Sequence, residues 1–498
     1  MSDKKTAKII IPQCEDGKQI SPYMFGSFIE HVGRCVYGGV YTPDSSYADE
    51  CGFNSTLIEE CRDMKLPLVR YPGGSYVSTW DWKNSIGPKK DRKATLNHPW
   101  HEIEPNTVGL GEAVEWCKKV GCELLLCLNI TTASLVDILN LVEYCNYPSG
   151  TYWSDLRRSH GYEQPFGIKY WSLGNEPDGW WQMNLMPSTE YARLTREVAK
   201  AIKWIEPDAK LIACSSVGGN MEWTKATLLD SYKYIDLLSV HDYIANKDNN
   251  FEYYMANASR RHVSLQKMID LCDEVKNELS SDKTVNISYD EWNVWYHSIE
   301  ADKNIPFWRN APHRLEDVYN LEDALAVAEY IITMLKNSDR IEIGCMAQLV
   351  NVLGVFLTDE KGKLLRQTTY YPYSDACRYG RGTALIPEVK CDKFSAENKG
   401  VTIEGVDVVS AAATKNDGVL ALFVVNRSLN DDIECSLHTD GLNYNSISAK
   451  TLYHDDIKAI NTFDNPDNVV YSNTECKVEK DTVSLTLKKH SFTLVLMS

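Results

Sequence analysis

At 498 residues the chain exceeds the usual size of a single hydrophobic core, so two domains are expected. Hydrophobic residues at 43% and charged residues at 24% are ordinary for a soluble globular protein. The balance of 52 basic to 69 acidic residues gives −17 at pH 7, which disfavours non-specific binding to nucleic acid or an anionic membrane. No run approaches a membrane span, and the opening MSDKKTAKIIIPQCEDG lacks the apolar core of a signal peptide, which together predict a cytoplasmic protein. The 15 cysteines lack close CxxC-type pairs and read as reduced thiols rather than as disulfides or a metal site.

In chain order, a short strand at 8–11 is followed by a turn and the strand GSFIEH, which carries Glu30 and His31 at its end. Apolar positions at Leu57, Ile58, Cys61 and Met64 predict a helix over 56–64, and PLVRY a strand over 67–71 ending in Pro72-Gly73-Gly74. A long polar and aromatic loop through Trp80, Trp82 and Trp100 leads to a helix at 111–120, stopped by Gly121. ELLLCLNI at 123–130 is a nearly continuous apolar strand. After a further helix and loop comes IKYWSLGNEPDG, residues 168–179, a strand broken at Gly174 that displays Asn175 and Glu176 at its C-terminal end. A helix at 190–205 and strands at 211–215, 237–241, 285–289 and 341–347 complete the series. Eight apolar strands alternating with helices predict a closed (β/α)₈ barrel over 20–385, with a doubly wound open sheet as the alternative. No GxGxxG follows the first strand to support that alternative. Beyond Pro387 the pattern changes to short alternating runs between Asn, Asp and Gly. These predict an antiparallel β-sandwich over 386–498, joined by a strand from residues 1–19.

The seventh strand runs into ISYDEWNVWYH and so also ends in a carboxylate, Glu291. In a barrel, Glu176 after strand four and Glu291 after strand seven share the C-terminal rim, where ligands bind. Two such carboxylates among Trp and Tyr side chains are the minimum equipment for glycoside hydrolysis: one protonates the leaving oxygen, and the other attacks the anomeric carbon or activates water. A carboxylate pair could instead hold a divalent metal, but metal-dependent barrels bring several histidines, and here His31 and His241 stand singly.

GSFIEHVGRCVYGG, VRYPGG, LGNEPDG, TYWSDLRRSHGYEQP and DEWNVWYH together resemble glycoside hydrolase family 51, the intracellular α-L-arabinofuranosidases. The resemblance spans the barrel and is supported by the β-rich tail. It implies a retaining, exo-acting hydrolase of clan A that releases terminal L-arabinofuranose from arabino- or arabinoxylo-oligosaccharides, needs no metal or other cofactor, and assembles as a homo-oligomer, commonly a hexamer. By motif, Glu176 resembles the general acid/base and Glu291 the nucleophile. Asn175 would bond the 2-hydroxyl, Glu30 the outer hydroxyl of the furanose, and Gln348 in AQLVN a further hydroxyl. Arg70 would lie near the nucleophile and keep it ionised, while His241 and Tyr243 in SVHDY match the pair that supports both carboxylates. Trp100 and Trp295 would wall the pocket, and Ser75 completes the expected substrate-binding set.

The sequence departs from the family pattern in four places. Pro177 replaces Met in GNEMDG, Ser75 replaces Asn after VRYPGG, HDYIAN replaces HQYYG with an added charge at Asp242, and NITTAS replaces NLGTRG. Division of labour between the two carboxylates further predicts a raised proton affinity for Glu176. The other readings are an endo-β-1,4-glucanase or β-xylosidase on the same scaffold, and a non-catalytic sugar-binding protein.

Overall fold

A computed structural model describes residues 5–13, 17–439 and 444–498. Eight parallel strands close a barrel: β1 (Tyr23–Phe28), β2 (Leu68–Tyr71), β3 (Glu123–Cys127), β4 (Tyr170–Leu173), β5 (Lys210–Cys214), β6 (Leu237–Ile244), β7 (Asn286–Val294) and β8 (Ile341–Met346). Each strand pairs with its neighbours in the chain, and β8 pairs back onto β1, so the predicted (β/α)₈ barrel is borne out. Its strands are buried on both faces, as in Leu68–Tyr71, where all four residues are buried. Helices Ser55–Asp63, Leu110–Val120 and Ser188–Ile205 lie within two residues of their predicted limits, and Gly121 ends the second of these in a left-handed conformation.

Two strands run further than the apolar pattern predicts. After a register shift between Ser239 and His241, β6 and β7 stay paired from His241↔Glu291 to Ile244↔Val294. Glu291, His241 and Tyr243 therefore stand on rigid ladder rather than in loops. Polar side chains on these extensions face the barrel mouth, which is why hydrophobic periodicity ends before the strands do. β1 starts and ends three residues earlier than GSFIEH suggested, so Glu30 lies two residues beyond it.

The C-terminal region forms two larger sheets and a separate hairpin of Lys393–Asn398 with Val401–Asp407. One orders Lys18–Gln19, Thr383–Leu385, Val409–Asn416, Val419–Asn426, Ser491–Met497, Ile447–Leu452 and Tyr471–Thr474. The other orders Glu388–Lys390, Thr6–Ile10, Ile433–His438, Thr482–Leu487 and Lys477–Glu479. Pairing is antiparallel except where Thr6–Ile10 lies parallel to Ile433–His438. Alternation along Val419–Asn426 explains the stacking. Leu420, Leu422 and Val424 face the core between the sheets, whereas Ala421, Phe423 and Val425 join the core that continues into the barrel. The intervening helix Leu321–Lys336 is buried at every position from Leu321 to Leu335, as a helix enclosed on all sides must be.

Across that contact Arg427 donates to both carboxylate oxygens of Glu329, at 2.9 and 2.6 Å, with each side chain at most 6% exposed. The fourteen described cysteines are free thiols, and no described helix is long and apolar enough to cross a membrane. Arg427→Ala strands Glu329 as a buried charge and is expected to cost about 3–5 kcal/mol of stability, read from the shift in the urea unfolding midpoint. A change below about 1 kcal/mol, the usual worth of an exposed ion pair, contradicts this role.

Candidate active site

The barrel mouth opens into a cavity of about 540 Å³ whose floor is built on a buried guanidinium. Arg70, at the end of β2, is fully buried. Its Nη1 donates to Glu291 Oε1 at 2.5 Å and its Nη2 to Asn175 Oδ1 at 2.6 Å, while Phe28 lies 4.6 Å beneath it. Engaging the Asn175 oxygen leaves that amide's NH₂ to donate to a ligand. The second Glu291 oxygen accepts from the Tyr243 hydroxyl at 2.9 Å. Gly73 and Gly74 allow this crowding. A Cβ on Gly73 would lie 2.5 Å from Glu30 Cγ, and one on Gly74 would lie 3.1 Å from Glu291 Oε1 and 3.3 Å from Glu30 Oε2.

Glu176 follows β4 through a turn in which Gly174 and Glu176 both adopt positive φ, 98° and 46°. His241 Nδ1 lies 2.8 Å from Glu176 Oε1 and 3.4 Å from Glu291 Oε2, so one ring sits between the two carboxylates. Burial opposes charge on this imidazole, but Glu291, Asp290 and Glu176 outweigh it and raise its pKa to about 10. It is therefore an imidazolium at neutral pH. The remaining Glu176 oxygen accepts from the Trp181 indole N–H at 2.8 Å. Burial pushes the Glu176 carboxyl up, yet His241, Trp181 and Arg70 more than offset it and hold the group below the usual glutamate range. The expected raised proton affinity is thus corrected for the unliganded site, because the cation beside Glu176 outweighs its desolvation.

Glu30 closes the floor. Its Oε1 accepts from Tyr76 N at 2.9 Å and Trp100 Nε1 at 2.8 Å, and its Oε2 from Gln348 Nε2 at 3.1 Å. Burial raises its pKa to about 7 against the pull of those N–H donors. Trp100 is carried by a hairpin of Thr95–Asn97 and Glu102–Glu104, where the sequence predicted only loop. Trp295 packs edge-on to Tyr243, with ring centroids 5.7 Å apart, and its buried indole N–H has no protein partner.

Seven of the nine predicted substrate contacts line the cavity: Glu30, Ser75, Trp100, Asn175, Tyr243, Trp295 and Gln348. The other two do not line it: Arg70 lies wholly beneath Glu291 and Asn175, and His241 stands behind the carboxylates. From these positions they would act through other side chains, as the motif implied for their support of Glu291 and of both carboxylates. Asp242 faces away from the cavity by strand alternation, held by Arg261 at 2.9 Å and Tyr289 at 2.7 Å, so its extra charge does not enter the site. In NITTAS, Thr131 bonds Ser78 and accepts from Asn184, which ties the loops after β2 and β4 together.

Sequence reasoning missed Trp181, Gln182 and Asp290. Gln182 Nε2 donates to Ser75 Oγ at 2.9 Å, placing a carboxamide behind the short side chain that replaces Asn. The signal was present as the WWQ that follows GNEPDG. Ligand atoms of Glu176, His241 and Glu291 all lie within 4.8 Å of one another, as a metal triad would. His241 Nδ1 is already engaged with Glu176 Oε1 at 2.8 Å, an arrangement that suits proton chemistry.

Two carboxylates facing each other across the mouth of a (β/α)₈ barrel, over a closed floor of polar donors, form the site of a glycoside hydrolase. The chain matches the α-L-arabinofuranosidase 1 domain over residues 60–261 and the α-L-arabinofuranosidase C-terminal domain over residues 290–491. The intracellular exo-α-(1→5)-L-arabinofuranosidase 1 of Bacillus subtilis (strain 168) is 40% identical over 484 residues, covering 96% of each chain. An exo-α-(1→6)-L-arabinofuranosidase of Bifidobacterium longum is 35% identical, covering 98% of this chain and 97% of that one. Among solved structures, the family 51 α-L-arabinofuranosidase AbfB from Bifidobacterium longum superposes with a TM-score of 0.94 at 32% identity, covering 99% of this chain and all of that one. The arabinose complex of the Thermotoga maritima α-L-arabinofuranosidase gives 0.88 at 29% identity, covering 99% of each. The chain belongs to the α-L-arabinofuranosidases of glycoside hydrolase family 51.

Proposed function

We propose that the protein is a retaining, exo-acting α-L-arabinofuranosidase in which Glu291 is the nucleophile and Glu176 the general acid/base. The observation that carries the assignment is the difference between the two carboxylates. Glu291 lies on the floor, clamped by Arg70 and Tyr243, where an attacking oxygen needs to be fixed. Glu176 stands nearer the mouth, against Trp181, where a leaving group departs. An oxygen of each lies within 4.8 Å of the other, which fits the ~5–5.5 Å separation of double displacement rather than the ~6.5–9.5 Å of inversion.

In the first step Glu291 attacks the anomeric carbon while Glu176 gives its proton to the departing oxygen, leaving a glycosyl-enzyme. Glu176 then takes a proton from water as that water attacks the same carbon and frees Glu291. The proton is loaded as the complex forms. The sugar replaces water over the Glu176 carboxyl and the leaving oxygen takes the place of the Trp181 N–H, both of which favour the protonated acid. Asn175, Glu30 and Gln348 hold the furanose hydroxyls, and Trp100 and Trp295 cover its apolar faces. A floor closed by Glu30 and Gly74 admits one terminal residue, which supports exo action. The substrates are arabino- or arabinoxylo-oligosaccharides, in keeping with the relatives' named activities on α-(1→5) and α-(1→6) linkages. The relatives' designation as intracellular supports a cytoplasmic location, and assembly as a homo-oligomer, a hexamer, completes the proposal.

Glu291→Ala is expected to reduce turnover on the order of 10⁴-fold or more. Glu176→Ala should cost about 10²–10⁴-fold on oligosaccharides and far less in the first step with 4-nitrophenyl α-L-arabinofuranoside, whose leaving group needs no proton. Equal losses on both substrates contradict the assignment of Glu176. Faster hydrolysis of the corresponding xyloside or glucoside contradicts the substrate class.

Trp181→Phe removes a donor that favours the Glu176 carboxylate. The proton affinity of Glu176 therefore rises, and the alkaline limb of kcat/KM moves to higher pH by about half to one unit. An unmoved or lowered limb contradicts the role given to the indole.

A further inference from the structure

Directly under the two carboxylates lies a third, Asp290, fully buried and one residue before Glu291 on β7. An irregularity in the pairing between Tyr289 and Trp292 breaks the alternation there, so that both acids face inward, Asp290 below and Glu291 towards the mouth. It is approached by both cations of the site. Arg70 Nε lies 3.7 Å from Asp290 Oδ2, and His241 Nε2 lies 3.6 Å from Asp290 Oδ1. All three of Arg70 Nε, His241 Nε2 and Asp290 Oδ2 are buried without a hydrogen-bond partner, so each is the electrostatic complement the others lack. Ser239 Oγ donates to Oδ1 at 2.6 Å and fixes the carboxylate between them.

We propose that Asp290 is the positioning residue of the site, a single buried anion that keeps His241 an imidazolium aimed at Glu176 and Arg70 aimed at Glu291. The inference rests on the roles proposed for Glu176 and Glu291, since it acts through them. Glu176 and Glu291 favour the charged imidazole from its Nδ1 side. Without Asp290, His241 Nε2 and Arg70 Nε would face each other with no anion between them, which lowers the proton affinity of the imidazole. With it, His241 carries a fixed charge throughout the working pH range, and Nδ1 always donates to Glu176. Burial disfavours charge on Asp290, but Arg70, His241 and Ser239 outweigh that and hold it ionised. The remaining charged or ionisable groups facing this space are Glu176 and Glu291 above, with Tyr243 on Glu291, and the thiols Cys127, Cys214 and Cys345 from β3, β5 and β8. Burial raises the pKa of each thiol, that of Cys127 to about 11, so all three stay neutral and none can replace Asp290 as the anion.

The test is Asp290→Asn, which keeps shape and removes charge, studied with imidazole-¹⁵N-labelled histidine and steady-state kinetics. In the native enzyme His241 should stay protonated through pH 9. In Asp290→Asn it should titrate below pH 8, kcat should fall about 10²-fold with KM little changed, and the pH profile should gain an inflection at the His241 midpoint. A purely structural role would lower Tm and kcat without moving the profile. Ser239→Ala, which keeps the charge, should leave His241 protonated and kcat within about threefold of native. The proposal is overturned if His241 stays protonated through pH 9 in Asp290→Asn, or if the pH profile keeps its native shape. Should Asp290→Asn fail to fold, Asp290→Ser is read in the same way, and a native His241 midpoint near the ordinary value of about 6.5 overturns the proposal without either variant. The His241 titration does not depend on which glutamate is the nucleophile, so its failure is distinct from failure of the catalytic assignment.

Discussion

The site depends on one ion pair, Arg70 with Glu291, sealed at the bottom of the barrel mouth. A guanidinium with no exposed surface is tolerable only where anions and acceptors surround it. Here Glu291, Asn175 and Asp290 provide them, Asn175 from the end of strand four and the two acids from strand seven. The same contacts fix the cavity-facing side of each partner. Glu291 keeps one oxygen on Arg70 and the other on Tyr243, and Asn175 is turned so that its NH₂ is free to donate. Barrel closure, charge balance and aim are thus one constraint rather than three.

Around that pair the two glutamates are made unequal by their neighbours. Glu291 is held from below, whereas Glu176 is held from the side by His241 and from the mouth by Trp181. Of these contacts, the indole N–H lies on the side from which the leaving group is proposed to depart. It favours the carboxylate, so in the proposed mechanism Glu176 takes up its proton as the leaving oxygen displaces that contact. Glu30, whose pKa is raised to about 7, shows that burial does shift a glutamate upward here when no full cation touches it.

The barrel was legible in the sequence because buried parallel strands are continuous apolar runs and each is bounded by Gly, Pro or polar residues. Glu176 and Glu291 were legible because each follows such a run among aromatics. The outward extensions of β6 and β7 were not, since their alternation is between cavity-facing polar groups and packed aromatics. His241, Asp242 and Tyr243 thus read as a strand end rather than as ladder. The motif implied that Arg70 and His241 support the carboxylates, but it gives the residue type at a rim and not the depth that keeps both out of the cavity. Gln182 and Trp181 lie in a turn of mixed composition, and their hydrogen bonds to Ser75 and Glu176 depend on how that turn folds back over the mouth. Asp290 was hidden by its neighbour: strand alternation predicts that one of two adjacent acids faces away, and the irregularity between Tyr289 and Trp292 that turns both inward has no signature in the sequence.

The central claim, that the spacing and inequality of Glu176 and Glu291 produce two successive displacements at the anomeric carbon, is tested most directly by stereochemistry. Hydrolysis of 4-nitrophenyl α-L-arabinofuranoside followed by ¹H NMR from the first minutes should show α-L-arabinofuranose as the first product, before mutarotation. First appearance of the β-anomer would mean a single displacement by water and would contradict the account.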